Sequence, residues 1–399
     1  MSNILVINSG SSSIKFQLIN TDTEKVIMKG AAKNLLLPFA HIEFQLNDEK
    51  TSRELPYVNH TDALAVIFDH LRQVNLLDSI TAVGHRIVHG GETFRESKLI
   101  TEDVLQGIKD AIPFAPLHNP ANLLGVEAVS AVNPDLAQVA VFDTAFHATM
   151  PAEAYRYAVP ANWYKDHGVR RYGFHGTSYR FITEKAAKIL GRRPEETNLI
   201  ICHLGSGASA AAIEGGKSIA TTMGFTPLAG LPMETRSGNI DPGIIPYVME
   251  KENLSVDEVL SALNKSSGYK ATSEISDNMR DIIIEAESGN QEAQLAIDIF
   301  SRKVAKYIAG FMTTLPRLDG LVFTAGIGED GANVRANIVD RLKIFGFRLS
   351  AKKNEVTRAF RGTEGLISTK SSTYPIYALM TNEELMIAKD TAHIVKAKK

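Results

Sequence analysis

A chain of 399 residues is too long for one ordinary hydrophobic core, so two domains are expected. With 44% hydrophobic and 22% charged residues and a formal net charge of -2, the composition is that of a soluble globular protein, and no basic stripe offers a nucleic-acid footprint. The single cysteine, Cys202, cannot form an internal disulfide, and neither a signal pattern nor an apolar run of about 18 residues occurs, so the expectation is a cytoplasmic protein with no membrane span.

The first element is the apolar run Ile4-Leu5-Val6-Ile7, which leads into the small, hydroxyl-rich loop Asn8 to Ser13. Ile14, Phe16 and Leu18 then alternate with Lys15 and Gln17, a period of two that predicts a second strand, closed by a turn at Asn20 to Thr23. Leu64, Ile67, Phe68 and Leu71 share a face and predict a helix over 61–73 behind a Thr61/Asp62 cap. The next elements are the Gly84–Gly91 segment, a strand at Val139–Phe142, and a break at Met150-Pro151 that marks the domain boundary. Beyond it the opening repeats: Leu199 to Cys202 runs into His203-Leu204-Gly205-Ser206-Gly207-Ala208-Ser209, aligning Asn3 with Asn198, Gly10 with Gly205 and Ser11 with Ser206. Ala210–Ile213 forms the returning strand. A long helix is expected from Gln291 to Leu315, stopped by Pro316. A strand over 321–324 meets a Gly326-Ile327-Gly328 turn, and a helix carrying Val334, Ile338 and Leu342 follows. A strand at 376–379 precedes a final helix, which is expected to pack back on the first half.

Strands alternating with helices imply an α/β fold. A strand that ends in small residues presents backbone N–H groups to phosphate oxygens, so two such hairpins at equivalent points suggest a duplicated fold gripping one nucleotide from both sides. Gly326 and Gly328 add a third close-approach turn, although a Gly-x-Gly turn also serves as a plain connection. Arg86 and Arg236 each sit among glycines, and a planar, permanently charged guanidinium matches the oxygens of a migrating phosphoryl group. His175 follows two arginines, and Asp143 stands at a strand end, where α/β sheets place functional groups. Asp143 and His147 also have a metal-compatible spacing, but no third ligand appears at a diagnostic distance, and His118 is equally open to a structural role.

Seven ordered motifs give the chain its closest likeness: Asn-x-Gly-Ser-Ser-Ser-x-Lys at 8–15, Gly-His-Arg-x-Val-His-Gly-Gly at 84–91, Phe-Asp-Thr-Ala-Phe-His at 142–147, Gly-Phe-His-Gly-Thr-Ser at 173–178, Thr-Arg-Ser-Gly at 235–238, Ala-Gly-Ile-Gly-Glu at 325–329 and Thr-Asn-Glu-Glu at 381–384. The chain resembles, nearly end to end, the acetokinase family of the sugar kinase, heat-shock ATPase and actin superfamily. The resemblance implies two duplicated actin-like (ribonuclease H-like) domains with an interdomain nucleotide cleft: 1–149, completed by a C-terminal helix 384–399, and 150–383. It implies reversible, direct in-line transfer of the ATP γ-phosphoryl group to acetate, giving acetyl phosphate and ADP, with Mg²⁺ (Mn²⁺ substituting), in a homodimer.

By the same resemblance Asn8 and Glu383 hold the metal, and Arg86, Asp143, His175 and Arg236 are catalytic. Arg86, Val88, Leu117, Phe174 and Pro227 bind the acyl substrate. Ser11, Ser13, Lys15, His203, Leu204, Gly205, Ser206, Gly207, Asn278, Met279, Arg280, Gly326, Ile327, Gly328, Glu329 and Asp330 bind the nucleotide. Because acetate is already ionised at neutral pH and needs no base, Asp143 is expected to order metal-bound water or to orient an arginine. Ser206, Glu234, Asn239 and Asn278 depart from the family's usual spelling, all on the donor side, which leaves nucleotide or pyrophosphate preference open. The alternatives are a propionate or butyrate kinase, a conformational ATPase without a small acceptor, and a metal hydrolase built on Asp143, His147 and His175.

Overall fold

The computed structural model describes residues 2–398 (for Phe360, the backbone alone). The chain divides into two compact α/β units, Met1–Ala148 with Asn382–Lys399, and Thr149–Thr381.

In the first unit the strands are β1 (Asn3–Ser9), β2 (Ser13–Asn20), β3 (Lys25–Lys33), β4 (His41–Leu46), β5 (Glu49–Glu54), β6 (Ile80–Ile87), β7 (Lys98–Leu99) and β8 (Gln138–Phe142). They form one sheet in the order β5-β4-β3-β2-β1-β6-β8-β7. β1 to β5 run as an antiparallel meander, whereas β6 is parallel to β1 and β8 is parallel to β6. The alternation along β2 sends Ile14, Phe16 and Leu18 into a core with Leu5, Ile7, Leu64, Ile67, Phe68 and Leu71. Burying each such side chain contributes roughly 1.5–3 kcal/mol. The helix that supplies the last four spans His60–Gln73, one residue earlier than expected. Asn59, not Thr61 or Asp62, caps it: its Oδ1 accepts from Asp62 N at 2.9 Å while its Nδ2 donates to the Asp62 carboxylate at 2.8 Å. The C-terminal helix Glu383–Ala397 packs on β1, β6 and β8 of this same unit.

The second unit repeats the wiring with β9 (Asn198–Leu204), β10 (Ala208–Glu214), β11 (Lys217–Thr221), β12 (Gly320–Thr324), β13 (Gly365–Leu366) and β14 (Ile376–Ala378), in the order β11-β10-β9-β12-β14-β13. β9 to β11 form the antiparallel meander, and β12 and β14 are parallel to β9. The repeat extends to side chains. Asn3 Oδ1 accepts from Asn20 Nδ2 at 2.8 Å, and Asn198 Oδ1 accepts from Gly215 N at 3.0 Å, each tying the open end of its hairpin. The loops differ by one residue, because Ser9 pairs with Ile14 whereas Leu204 pairs with Ala208.

Two boundaries depart from expectation. The helix Gln291–Met312 ends short of Leu315, because the Thr313 and Thr314 hydroxyls donate to the carbonyls of Gly310 and Phe311 and so satisfy the last turn before Pro316. The predicted Gly326-x-Gly328 turn is instead a short helix, Ala325–Asp330, followed by Ala332–Asp340, with Leu342 buried just beyond its end. The buried Glu329 carboxylate organises that segment by accepting from Ala325 N at 2.9 Å and Thr381 N at 3.0 Å.

Candidate functional site

In the first unit the chemistry gathers where β1, β6 and β8 end. The ladder continues one step beyond β8 through Asp143 N to Ile87 O at 2.9 Å, which sets Asp143 beside Arg86. Arg86 Nε donates to both carboxylate oxygens at 3.1 and 3.2 Å, and Nη2 donates to Oδ2 at 2.6 Å. Asp143 is 1% exposed, so this is a desolvated, fixed pair that leaves Nη1 of Arg86 unused. Burial works against the Arg86 charge, but Asp143, Glu383 and Glu384 more than offset it and hold its pKa above the ordinary value. Glu383 opens the C-terminal helix. Burial, with Asp143 and Glu384 nearby, pushes its carboxyl up to about 7 despite Arg86 and Lys15. Asn8 and Lys15 flank the first hairpin loop as register partners in β1 and β2, with Ser11 and Ser13 in and at the end of the loop. Val88 is buried, while Leu117 is 59% exposed. His60, which no sequence pattern singled out, holds this loop through Nε2 to Gly10 O at 2.8 Å.

In the second unit His175 has a left-handed backbone (φ 59°, ψ 23°) at the start of the helix Gly176–Ile189. A side chain in that region costs on the order of 1–3 kcal/mol and persists where the surroundings impose it. Here they do: Nδ1 bonds Ser209 Oγ at 2.8 Å, and the ring stacks on His203 at 4.1 Å and 22°. A Cβ on Gly207 would lie 3.4 Å from His175 Nε2 and 3.8 Å from Arg236 Nη1, so both groups converge on the bare backbone of the second hairpin loop. Burial lowers the Arg236 pKa, with Glu234 opposing, and among the described residues its guanidinium makes no ion pair. An unpaired, half-buried cation beside a bare loop is a ready anion site. The hydroxyls of Ser209 and Tyr179 bond each other behind His175; Ser209 closed the repeated segment without an assigned role, and Tyr179, a common residue in a helix, carried no motif signal.

A cavity of about 610 Å³ adjoins this loop and brings together eight of the expected nucleotide residues: Gly205, Ser206, Asn278, Met279, Arg280, Gly326, Ile327 and Asp330. Glu234, one of the donor-side departures, lines it too, and Tyr269, Asp277, Ile283 and Gly331 join without having been assigned a role. Its size suits a small-molecule ligand. His203, Leu204, Gly207, Gly328 and Glu329 do not line it; His203, Leu204 and Glu329 are buried in or behind the sheet. The buried Asp330 Oδ1 atom in this wall has no hydrogen-bond partner among the described residues and so offers an acceptor to a ligand donor. Asn278 Oδ1 accepts from Arg280 N at 3.0 Å and caps the helix Met279–Glu287. Asn239, another departure, accepts from Gly230 N at 2.8 Å and donates to Tyr307 OH at 2.6 Å, a pairing that suits an amide. Phe174 is buried and Pro227 half-buried in this unit.

Two sheets of one wiring, each led by a phosphate-suited hairpin, with guanidinium and imidazole groups at the loops, define the class: an actin-like phosphotransferase of two α/β units. The comparisons agree. The acetokinase family profile matches residues 3–389. The chain is 48% identical to an acetate kinase of Thermotoga petrophila over 98% of both chains, and 46% identical to one of Bacillus cytotoxicus over 99% of both. Among solved structures it is similar to a propionate kinase from Francisella tularensis (TM-score 0.94, 44% identity, 99% of this chain and 100% of that one). It is similar also to the Porphyromonas gingivalis acetate kinase (TM-score 0.93, 40% identity, again 99% and 100%). The chain belongs to the acetokinase family.

Proposed function

We propose that the protein transfers the terminal phosphoryl group of ATP reversibly to acetate. A carboxylate oxygen attacks the γ-phosphorus, the bond to the β–γ bridging oxygen breaks, and ADP and acetyl phosphate form with no proton to move. The observation that carries this reading is the convergence of His175 Nε2 and Arg236 Nη1 on Gly207, beside a cavity of nucleotide size. Arg236 and His175 stabilise charge on the migrating group, Arg86 engages the carboxylate through the edge that Asp143 leaves open, and Lys15 with the first loop meets the phosphates. Asp143 acts by orienting Arg86.

Mg²⁺ fits the oxygen donors of the first unit. Asn8 and Glu383 would hold it, and a cation there would offset the burial and the neighbouring Asp143 and Glu384 charges that raise the Glu383 carboxyl. No group of three or more His, Cys, Asp or Glu suited to a metal occurs among the described residues, so substrate phosphates and water complete such a site, a usual arrangement for this ion. When bound it neutralises phosphate charge.

Acetate rather than propionate is favoured by the names of the more identical relatives, although one structural neighbour is named a propionate kinase. One methylene discriminates by only about 1–3 kcal/mol, so propionate is expected to be the poorer substrate. No described helix is long and apolar enough to cross a membrane, and we place the reaction in the cytoplasm. We also infer a homodimer, supported by the helix Ile244–Glu252, which has no buried residue although it opens on an apolar run. The deciding experiment is a hydroxamate assay with acetate and propionate against ATP, GTP and pyrophosphate. Arg236→Ala is expected to lower kcat by at least about 10³-fold with a smaller change in the KM for ATP, the loss expected where charge is stabilised mainly in the transition state. Near-normal turnover by that variant would overturn the reading.

A further inference from the structure

The backbone amides of Val88, His89, Gly90 and Gly91 form no part of a sheet ladder, and side chains hold all four. Val88 N donates to Asn122 Oδ1 at 3.0 Å, His89 N to Asn119 Oδ1 at 3.1 Å, Gly90 N to Thr144 Oγ1 at 3.1 Å and Gly91 N to His89 Nδ1 at 3.0 Å. Asn119 and Asn122 sit three residues apart at the start of the helix Asn119–Val132, a spacing that puts both amides on one face, and both are at most 2% exposed.

Asn122 does more than its neighbour. The parallel pairing of β1 with β6 ends at Ile7 and His85, and beyond that point the two strands part. Asn122 bridges the gap, because its Nδ2 donates to Ser9 O at 2.8 Å while its Oδ1 takes the Val88 amide. A primary amide offers the donor and acceptor of a peptide, so the side chain extends the ladder where the backbone cannot. Gly125, one turn on, permits the approach: a Cβ there would lie 2.8 Å from Ser9 Cβ.

We propose that Asn122 is a positioning residue of phosphoryl transfer. It locks the first hairpin, which carries Asn8 and Lys15, to the strand end that carries Arg86 and Val88. It thereby sets the phosphate-holding and carboxylate-holding groups of this unit in register. The proposal deepens the phosphotransferase reading and rests on it.

The two bonds are separable. Asn122→Asp keeps an acceptor for Val88 N and loses the donor to Ser9 O, whereas Asn122→Ala loses both. For Asn122→Asp, kcat with acetate falls on the order of 10²-fold, the cost of a small misplacement, with the propionate-to-acetate kcat/KM ratio unchanged. For Asn122→Ala that ratio also moves, by about fivefold or more, because Val88 is released. Amide hydrogen exchange, read on the same proteins, rises over 9–13 in both variants and over 88–91 in Asn122→Ala alone. If Asn122→Ala fails to fold, Asn122→Ser takes its place, with the same expectation for both segments.

A folded Asn122→Asp with wild-type kcat and unchanged exchange over 9–13 overturns the proposal. So does a lowered melting temperature as the only effect, since that is a merely structural role. Failure of the wild-type enzyme to form acetyl hydroxamate sinks the functional reading instead, and the exchange data still decide whether Asn122 couples the two segments.

Discussion

Asp143 illustrates how a side chain's partner decides its role. Its carboxylate is spent on Arg86 and almost wholly buried, so it is poorly placed to shuttle protons and well placed to hold a guanidinium still. Asp143→Asn is therefore expected to lower kcat/KM for acetate by roughly 10²-fold, the scale of a weakened buried ion pair. The pH–rate profile should keep its shape, whereas loss of an acidic-side limb in the variant would restore a proton-transfer role. A second residue prediction concerns His85, whose ring lies buried against Gln138 at 2.7 Å. Burial, only partly opposed by that bond, lowers its pKa to about 4, so the folded state prefers the neutral ring. The resulting stability is complete above the unfolded pKa of about 6.5 and is lost as pH falls toward 4, on the order of 3 kcal/mol in all. His89, lowered to about 3 by burial, adds a loss of the same sign that begins below the same unfolded pKa and runs on to lower pH. Comparing denaturant midpoints of the wild type and His85→Gln from pH 7 to 4 isolates the His85 share, and parallel curves would refute it. The glycine-rich company of Arg86 and Arg236 made both arginines legible in the sequence. Their surroundings were not, because the Arg86–Asp143 pair depends on the β6–β8 register and spans 57 residues of chain.

At the level of elements, both hairpins could be read directly, the first from a period of two after a small-residue loop and the second from its gapless repeat of that loop. Helix ends were harder. Asn59 outcompeted Thr61 and Asp62 as a cap, and two threonines halted a helix whose apolar spacing ran on to Leu315; in each case a local hydrogen bond decided the boundary. The short helix at Ala325–Asp330 escaped for another reason: the buried Glu329 carboxylate holds a chain turn that starts at Ala325 with φ 62°, a tertiary effect with no local signature. Docking of the C-terminal helix depends on one glycine. A Cβ at Gly84, in β6, would overlap Thr391 Oγ1 and lie 2.8 Å from Ile387 Cγ2. Gly84→Ala should cost about 1–3 kcal/mol through overpacking, and the helix that carries Glu383 should be the part displaced. A drop in melting temperature with faster amide exchange over 383–397 is the expected result. An unchanged melting curve would mean that the sheet yields more easily than close packing allows.

For the molecule as a whole, duplication was the most legible fact: one repeated loop predicted a duplicated fold, and the six strands of the second sheet follow the order of six of the eight in the first. Less legible was the contribution of the second unit's surface, because apolar residues on a helix usually mean burial within the chain. The helix Ile244–Glu252 breaks that expectation, with Ile244 and Tyr247 43% and 62% exposed, and the adjoining helix Val256–Lys265 adds Val256 and Leu260 in the same condition. Two touching helices that each leave large apolar side chains in water offer the kind of surface that a second copy of the chain covers. An exposed tyrosine on such a surface is a typical anchor, and removing one costs about 2 kcal/mol or more. Tyr247→Lys should therefore weaken self-association by roughly 30-fold or more. Sedimentation velocity across a micromolar dilution series should show a dimer for the wild type and monomer for the variant, with the melting curve of the folded unit little changed. A wild-type chain that sediments as a monomer throughout would remove this helix pair as the dimer face.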